Sequence, residues 1–414
     1  MLKLKNKNEK GVDRMKIAIF SDSFLPGIGG TERATLGLAS ALAKNNNEVV
    51  VCVPEYAQKA EDNYDFQVIR TPSLTLTKND NLAFPKLSKK LKKTLNTLKP
   101  DIIHCQTVSP MTQYALDYGE KNGIPVLMTV HTKFKTAYER SIKFKPVVNS
   151  LLKKIVKRAN RADKVCVVSN DMIDELKSYG YDGAAQVVRN GSMYQKSFAS
   201  EEKIAELKQK YGIKDDEKIL LYVGYMVKYK NLEFVFNSLN NIKEQNQKFK
   251  AIFVGGGMDY NYFVTLSKTL GLEENVIFTG PITNDVILSS LYKMADLFVF
   301  PSIFDNDPLV IVEAAVNGVP AITLEKTGAS ERIENGVSGF IVENDLEKFT
   351  QKILEALEDE QQLKIMGQNA SKLIPKTWDQ TAQEYLQIYK EMISNKKWMK
   401  MTVETDAITA QLRT

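Results

Sequence analysis

Two carboxylates, Asp305 and Glu313, flank the point at which an apolar stretch gives way to a helical pattern. Residues 295–300 form an apolar run short enough to be a buried strand. A polar turn follows, and a helix opens at about Leu309 with free amides that include Val310. Those amides and the helix dipole favour an anion such as phosphate. The spacing predicts that both carboxylates face a polyhydroxy ligand at this helix start, the alternative being a surface turn followed by a glutamate on a helix face.

Two lysines follow the first strand predicted for the second half of the chain, at residues 219–223. Lys230 would lie where the turn enters a helix, and its ammonium could neutralise a diphosphate as a point charge. Lys228, two residues earlier, could do the same. Either lysine could instead be a solvated surface residue.

Glycines at the ends of predicted strands could let the backbone approach a ligand closely. The candidates are Gly29, Gly30, Gly255, Gly256 and Gly280, the last followed by Pro281, where a base could hydrogen-bond to main-chain groups. The first of these turns lacks both the GxGxxG spacing and the acidic residue ~20 positions later that a dinucleotide oxidoreductase needs. That enzyme class is therefore disfavoured. Residues 327–331 follow a later strand and could close the site.

The two histidines, His104 and His131, both close predicted strands of the first half. His131 leaves its strand for a loop at the edge where parallel sheets bind ligands, so we assign it to the cleft. We expect His104 to be structural. The cysteines, at positions 52, 105 and 166, lie in apolar runs without metal-ligand spacing, which predicts buried, reduced thiols in a cytoplasmic protein.

A regular alternation of predicted strands and helices must position these residues. It predicts an α/β fold in which parallel sheets carry helices on both faces. Ligands of such sheets bind beyond the carboxyl ends of the strands, so we expect the site in the cleft between two Rossmann-like domains. The predicted strands are 16–20, 48–53, 66–70, 101–105, 126–130, 164–168 and 186–188, then 219–223, 249–254, 276–279, 297–300, 320–323 and 340–342.

A chain of 414 residues is too long for one ordinary core. We expect an N-terminal domain at 15–194, a C-terminal domain at 195–376, a helix at 377–397 that returns to the first domain, and a mobile tail at 398–414. Residues 1–14 are polar and basic, which predicts a disordered leader and no signal peptide, with Met15 as an alternative start. No apolar run approaches the ~20 residues that span a bilayer.

Taken in order, these motifs resemble those of the family-4 retaining glycosyltransferases of the GT-B fold, among them bacterial diacylglycerol glucosyltransferases. The similarity runs from about Lys16 to the helix after Trp378. The tandem set is far more specific than any one motif. Its members are Gly29-Gly30-x-Glu32, His131-Thr132, Gly224…Lys230-Asn231, Val254-Gly255-Gly256-Gly257, Phe278-Thr279-Gly280, Pro301-Ser302…Glu313-Ala314 and Gly328…Glu331.

The resemblance implies a nucleotide-diphosphate sugar, usually of uridine, held mainly by the second domain. Glu313 resembles the carboxylate that binds the ribose hydroxyls, and Asp305 stands where the family has a glutamate that meets the sugar. Lys230 would bind the diphosphate, and the amides of Gly29 and Gly30 would assist from the first domain. His131 would lie beside the transferred sugar. The anomeric configuration would be retained without a metal or other cofactor.

The sequence departs from the family pattern at two positions. Asp305 is one methylene shorter than the usual glutamate, which could shift the sugar contact or select another epimer. Tyr225 stands where the family usually has arginine, which removes a cation from the diphosphate site, and Lys228 could compensate. Asp305-Asn306-Asp307 also spells a D-x-D metal motif. Its position directly before a helix that carries Glu313 disfavours that interpretation.

The first domain would choose the acceptor, and its basic helices bear on that choice. Lysines crowd residues 86–99 and 143–161, with leucine, valine and isoleucine between them. Such helices could lie on anionic lipid, or they could be outer helices whose apolar faces cover the sheet. We expect a hexose from UDP-glucose or UDP-galactose to reach a membrane lipid such as diacylglycerol, on the inner face of the cell membrane. The alternatives are a surface polysaccharide or undecaprenyl-linked acceptor, and a non-catalytic nucleotide-binding module. We expect no nucleic-acid partner.

Overall fold

The computed structural model describes residues 14–27, 29–58, 61–75, 81–192 and 197–411, and the side chains of the last helix as far as residue 396. Among the described residues of the N-terminal domain, seven parallel strands form one sheet in the order β3-β2-β1-β6-β7-β8-β9, and β4 and β5 form a separate antiparallel pair. The strands are β1 (Lys16–Phe20), β2 (Glu48–Pro54), β3 (Gln67–Thr71), β4 (Ser73–Thr75), β5 (Asn81–Ala83), β6 (Ile102–Cys105), β7 (Val126–Val130), β8 (Lys164–Val167) and β9 (Ala185–Val187).

Helices cover both faces of this sheet because its strands are apolar on both sides and must be buried twice. They are α1 (Gly30–Lys44), α2 (Lys89–Leu98), α3 (Pro110–Asn122), α4 (Phe134–Ser141), α5 (Lys145–Ala159) and α6 (Asp171–Ser178). One side of the sheet packs against α2, α3, α5 and α6, and the other packs against α1.

The C-terminal domain repeats this arrangement with six described parallel strands in the order β12-β11-β10-β13-β14-β15. The strands are β10 (Lys218–Val223), β11 (Phe249–Val254), β12 (Val276–Gly280), β13 (Leu297–Phe300), β14 (Ala321–Leu324) and β15 (Gly339–Val342). The helices are α7 (Glu201–Tyr211), α8 (Leu232–Glu244), α9 (Tyr260–Thr269), α10 (Asp285–Met294), α11 (Leu309–Val316), α12 (Leu346–Glu358), α13 (Glu360–Leu373) and α14 (Trp378–Gln411).

Strand order reverses beside the first strand of each domain. In the N-terminal sheet β1 lies between β2 and β6, and in the C-terminal sheet β10 lies between β11 and β13. Crevices at such switch points bind ligands, because the loops leaving the two neighbouring strands diverge there. The α/β fold with two Rossmann-like domains that the sequence predicted is confirmed, and each of the thirteen predicted strands is observed within one residue at either end.

Helix α14 leaves the C-terminal domain and packs beside α1 of the N-terminal domain. The indole of Trp378 lies against Gly37 so closely that a Cβ there would come within 2.2 Å of the ring. Farther along α14, the Tyr389 hydroxyl lies 2.6 Å from Nδ1 of His104, whose Nε2 lies 2.7 Å from the Thr129 hydroxyl. Burial holds the pKa of His104 well below its ordinary value, so this imidazole is neutral and holds the helix in place.

Several features differ from the sequence-based expectations or lie beyond them. The pair β4 and β5 was not predicted, because strands of three residues leave no clear alternation. Helix α14 runs to Gln411, where the sequence predicted an unpatterned tail from residue 398. Most of the predicted leader and the boundary at 194–195 lie outside the described residues. All three cysteines are buried and free, as predicted, and none of the described helices is long and apolar enough to cross a bilayer.

Candidate active site

The cleft between the domains holds a cavity of about 440 Å³ at the amino end of α11. Nine of the residues proposed from sequence line it together: Gly29, Gly30, His131, Tyr225, Lys230, Asp305, Leu309, Val310 and Glu313. The segments that follow β10 and β13 of the C-terminal domain and β1 and β7 of the N-terminal domain therefore converge on one space. Its size and its mixture of amides, carboxylates and one ammonium suit a polar, anionic ligand.

Asp305 and Lys230 form an ion pair at one side of this cavity, with Nζ 3.2 Å from Oδ1. The other carboxylate oxygen of Asp305 accepts a 2.6 Å hydrogen bond from the Ser302 hydroxyl. Lys230 ends a short 3₁₀ turn, and Asn231 after it adopts a left-handed conformation with φ 61° that redirects the chain into α8. Both charged groups are thus held by their local turns and do not hang free on the surface.

Glu313 lies in the second turn of α11 and is almost completely buried. Its Oε2 accepts a 3.0 Å hydrogen bond from the Tyr292 hydroxyl, and its Oε1 lies 3.9 Å from a guanidinium nitrogen of Arg33. Burial raises the pKa of Glu313, and the Tyr292 hydroxyl opposes that rise. A buried carboxylate with so few partners is well suited to accept hydrogen bonds from ligand hydroxyls.

His131 closes β7 and is held at the opposite wall of the cavity. Its Nε2 lies 2.7 Å from the amide oxygen of Gln106, which can only accept, so this pair assigns the proton to Nε2. Its carbonyl oxygen accepts a 2.6 Å hydrogen bond from the Asn306 amide of the other domain. Burial lowers the pKa of His131 to about 4, and Asp307 opposes that shift. The imidazole is therefore neutral at pH 7 and offers Nδ1 as an acceptor.

The remaining glycines proposed from sequence shape a neighbouring cavity of about 1070 Å³. Gly255, Gly256 and Pro281 line it, whereas Gly280 supports the turn by accepting a 3.0 Å hydrogen bond from the Gly255 amide. Gly255 has φ +133°, and a Cβ there would come 2.0 Å from the carbonyl oxygen of Gly224. Glycine is required at this contact because the turns after β10 and β11 touch backbone to backbone.

Lys228, like Gly280, lines neither of these cavities. Its ammonium lies 3.5 Å from the centre of the Tyr262 ring and 3.8 Å from Glu233. The 3₁₀ turn explains the difference from Lys230, because residues two positions apart in such a turn point in different directions. The suggestion that Lys228 compensates for Tyr225 therefore has no support in this arrangement.

Sequence reasoning missed several residues that the structure places at the cleft. Asp307 forms a buried ion pair with Arg332, with Oδ2 2.8 Å from Nη2, and accepts a 2.8 Å hydrogen bond from the Asn190 amide. It braces the domain junction and is not free to bind a metal. Within the described residues no group of three or more histidine, cysteine, aspartate or glutamate side chains is placed to hold one. Arg33 could have been noticed, because it stands one helical turn after Gly30 at a ligand-binding helix start.

Glu331, which the sequence suggested could close the site, instead joins the two domains. Its carboxylate accepts hydrogen bonds from the amides of Asn170 and Asp171, at 2.8 and 2.9 Å, where α6 begins. Arg189 adds an ion pair at 3.0 Å. A carboxylate at a helix start gains from the helix dipole as well as from these bonds.

Two further cavities lie in the N-terminal domain beside the cleft. The first, of about 550 Å³, shares Thr31, His131 and Thr132 with the central cavity. Its polar wall is formed by Asp22, Ser23, Gln106, Thr107, Ser109, Lys154 and Arg158, and its apolar wall includes Leu82, Phe134, Tyr138 and Leu151. The second, of about 420 Å³, shares Pro110 and Arg158 with the first and is lined mainly by apolar groups, among them Ala83, Phe84, Leu87 and Tyr114.

Asp22 is the most unusual group in these cavities. Its Oδ2 accepts a 2.8 Å hydrogen bond from the Thr107 hydroxyl, whereas its buried Oδ1 has no partner of hydrogen-bond geometry among the described residues. Burial raises the pKa of Asp22 to about 7, against the influence of Thr107, the Met111 amide and Arg158.

Comparison with known proteins gives a consistent picture across both domains. The profile of the family described as "Glycosyltransferase Family 4" matches residues 28–192, and that described as "Glycosyl transferases group 1" matches residues 203–373. Alpha-monoglucosyldiacylglycerol synthase of Streptococcus pneumoniae is 27% identical over 315 residues, which cover 74% of this chain and 70% of that protein. The protein of the same name from Acholeplasma laidlawii is 24% identical over 86% of this chain and 92% of its own length.

Among solved structures, Anabaena HepE in complex with UDP superimposes with a TM-score of 0.73 at 20% identity, covering 91% of this chain and 100% of HepE. At that identity the likeness establishes the fold alone. It agrees with the two parallel sheets facing each other across a cleft, and the two profiles cover most of both sheets. The chain thus belongs to the glycosyltransferases of the GT-B fold, with a family-4 domain at its N-terminal side and a group-1 domain at its C-terminal side.

Proposed function

We propose that this protein is a retaining glycosyltransferase that moves a hexose from a nucleotide-diphosphate sugar, UDP-glucose or UDP-galactose, to a membrane lipid such as diacylglycerol or a glycosyl-diacylglycerol. The observation that carries the proposal is the convergence of Lys230, Asp305 and Glu313 around the free amides at the amino end of α11. Glu313 accepts hydrogen bonds from the ribose hydroxyls, and Asp305 binds the hexose.

The diphosphate lies between the amides of Leu309 and Val310 on one side and those of Gly29 and Gly30 on the other. As the bond between the anomeric carbon and the diphosphate oxygen breaks, negative charge grows on the leaving group. The Lys230 ammonium and the helix amides stabilise that charge more in the transition state than in the ground state. The acceptor oxygen bonds to the anomeric carbon on the same face, and its proton passes to the departing phosphate.

His131 has a limited chemical role in this scheme. Its pKa of about 4 leaves it neutral, so it does not act as a cation or as a strong acid at pH 7. With Nε2 committed to Gln106, its free Nδ1 can accept a hydrogen bond from a hydroxyl of the transferred sugar. It therefore orients the hexose between the donor cavity and the acceptor cavity that it also lines.

The acceptor side favours an amphipathic molecule. A polar cavity beside His131 shares Pro110 and Arg158 with an apolar one lined by Phe84, Leu87 and Tyr114. A hydroxyl can thus reach the anomeric carbon while hydrocarbon stays in the apolar part. The similarity to proteins named alpha-monoglucosyldiacylglycerol synthase also favours an amphipathic lipid acceptor.

The basic helices support peripheral binding to the inner face of the cell membrane, although not by the apolar faces seen in the sequence. Those faces are used inside the protein, because Leu91 and Leu95 of α2 and Leu152 and Ile155 of α5 are buried in the core. What remains outside is a lysine-rich surface with a few exposed apolar groups, such as Leu87 at 70% and Phe144 at 64% exposure. Such a surface binds anionic lipid mainly by charge, roughly 1 kcal/mol per lysine near the headgroups.

A glycan acceptor, as in a surface polysaccharide or an undecaprenyl-linked chain, is the second candidate. The carboxyl and hydroxyl groups of Asp22, Thr107 and Ser109 in the polar cavity favour it, because sugars are bound by such groups. A non-catalytic nucleotide-binding module is the third candidate.

One donor and acceptor screen separates these possibilities. The purified full chain is mixed with UDP-glucose or UDP-galactose and with diacylglycerol in vesicles of anionic or neutral phospholipid, and UDP release and glycolipid mass are measured. We expect α-linked glycolipid, faster on anionic vesicles, and loss of product in Glu313→Gln. Product only with an oligosaccharide acceptor would establish the second candidate. Tight UDP binding without transfer to any acceptor would establish the third.

A further inference from the structure

The charges that line the central cavity do not suffice for a diphosphate unless a second cation takes part, and Arg140, stacked on Tyr229 and Phe304, is not among them. Lys230 is already paired with Asp305, and Lys228 lies elsewhere, against Tyr262 and Glu233. Glu313 adds a second carboxylate to the wall of the same cavity. Without another cation, one ammonium would face two carboxylates before a ligand carrying two or more negative charges arrived.

Arg33 is placed to supply that charge. It stands on α1, one turn after Gly30, and lines both the central cavity and the larger cavity beside it. These two cavities also share Val223, Gly224, Tyr225 and Ile282, so Arg33 stands where they adjoin. Its side chain is 52% exposed, and among the described residues its ion pair is a loose one, with a guanidinium nitrogen 3.9 Å from Oε1 of Glu313.

We propose that Arg33, from the N-terminal domain, is the second diphosphate-binding cation of the donor site and that it replaces a cation missing at Tyr225. The inference rests on the proposed function, because it assumes a nucleotide-diphosphate donor. A guanidinium is planar and carries donors on two edges. One edge can face the diphosphate while the other remains near Glu313, which keeps that carboxylate charged when it binds the ribose.

This placement ties donor binding to the position of the two domains. Lys230 and Glu313 belong to the C-terminal domain, whereas Arg33 belongs to the N-terminal domain. A diphosphate held by both cations therefore bridges the cleft, so that a nucleotide lacking the second phosphate gains less from closure.

Calorimetry on the full chain tests the assignment, with UDP and UMP as ligands. We expect Arg33→Met to weaken UDP binding about tenfold to one-hundredfold, the usual range for losing a charge-assisted contact to a phosphate. UMP affinity should change much less, Arg33→Lys should recover part of the loss, and UDP binding should become less sensitive to salt in Arg33→Met. Lys228→Met is the matched control and should bind UDP within about twofold of the wild type.

A rescue experiment makes the test specific to charge. In the Arg33→Met background, Tyr225→Arg should restore most of the UDP affinity, because position 225 lines the same two cavities. Thermal denaturation of each variant confirms that it is folded. If Arg33→Met does not fold, Arg33→Lys is measured in its place.

Three results would overturn the inference. They are unchanged UDP binding in Arg33→Met, equal losses for UDP and UMP, and a larger loss in Lys228→Met than in Arg33→Met. A wild-type chain that binds no nucleotide diphosphate at all would overturn the proposed function and this inference with it. The two failures are therefore distinguished by the wild-type measurement alone.

Discussion

The ammonium of Lys230 lies 3.2 Å from Oδ1 of Asp305, so the cation of the cleft and the shorter of its two carboxylates neutralise each other before any ligand binds. The pair is largely shielded, because both side chains are less than a quarter exposed. An anion entering this site must compete with Asp305 for the ammonium. Under the proposed function, Asp305 would therefore weaken phosphate binding while providing a contact for the sugar.

Replacing Asp305 should separate these two effects. We expect Asp305→Asn to bind UDP about threefold to tenfold more tightly, because Lys230 loses its competing anion. We expect its kcat/KM for transfer to fall at least about one-hundredfold, because the hexose loses a charged hydrogen-bond acceptor. Calorimetry and UDP release measure the two quantities, with the surface variant Asp216→Asn as the control. Weaker UDP binding in Asp305→Asn would contradict the competition.

The hydrogen bond from Tyr292 to Glu313 allows a test of whether Glu313 is charged in the folded protein. Tyr292→Phe leaves the buried Oε2 of Glu313 without this donor, so we expect a loss of about 1–2 kcal/mol in the free energy of unfolding. Because burial already raises the pKa of Glu313, losing the hydroxyl should raise it further. The loss should therefore be larger at pH 8 than at pH 5, where the carboxyl is more often protonated. Urea unfolding at the two pH values measures it, and a loss that is the same at both would argue against a charged Glu313.

Replacing Asp22 with asparagine should stabilise the folded chain. Its folded pKa of about 7 lies above the ordinary value of 3.8, so the unfolded chain ionises this carboxyl first and the folded state is penalised as pH rises between these values. The penalty is complete above pH 7 and absent below pH 4. We expect Asp22→Asn to stabilise the chain at pH 8, by at most about 4 kcal/mol, and to have little effect at pH 4.

The measurement for Asp22 is the urea midpoint as a function of pH. Asp182→Asn, on the surface of the same domain, is the control and should show no such gain. A destabilised Asp22→Asn at pH 8 would mean that the carboxylate is charged and paired in the folded state.

The two histidines can be followed individually because the chain contains no others. Burial places the folded pKa of His131 at about 4 and that of His104 well below its ordinary value, so neither should titrate between pH 8 and 5.5. Below the unfolded pKa of ~6.5 the unfolded chain binds more protons, so stability should fall as the pH drops toward 4. NMR of histidine-labelled protein measures the pKa of each ring, and a midpoint near 6.5 for either ring would contradict its burial.

Much of the site could be located from sequence because it follows from strand ends. Lys230, Asp305 and Glu313 lie in or just after turns that follow buried parallel strands, and hydropathy marks those strands clearly. Parallel strands end on one side of a sheet, so residues far apart in the chain meet there. The same reasoning brought Gly29 and His131 to the facing wall.

The misses share a physical cause, which is that they depend on the opposite domain. Arg33 becomes a site residue only because Glu313 stands across from it, and Glu331 becomes a joint only because α6 begins beside it. Asp307 is held by the Asn190 amide of the N-terminal domain as well as by Arg332 of its own domain, which takes it out of the metal-like motif. The prediction for Lys228 is not supported for a local reason, because the spacing between Lys228 and Lys230 does not reveal the direction of each side chain in a 3₁₀ turn.

Because helix α14 packs on the N-terminal domain, that domain is not built from one continuous segment of the chain. The indole at position 378 and the tyrosines at 385 and 389 belong to a core that α14 shares with residues before 190. Exchanging the N-terminal domain with that of a relative would therefore need two junctions, one between the sheets and one ahead of Trp378. A single crossover would leave the recipient with an unmatched surface, so recombination that exchanges the N-terminal domain should carry α14 with it.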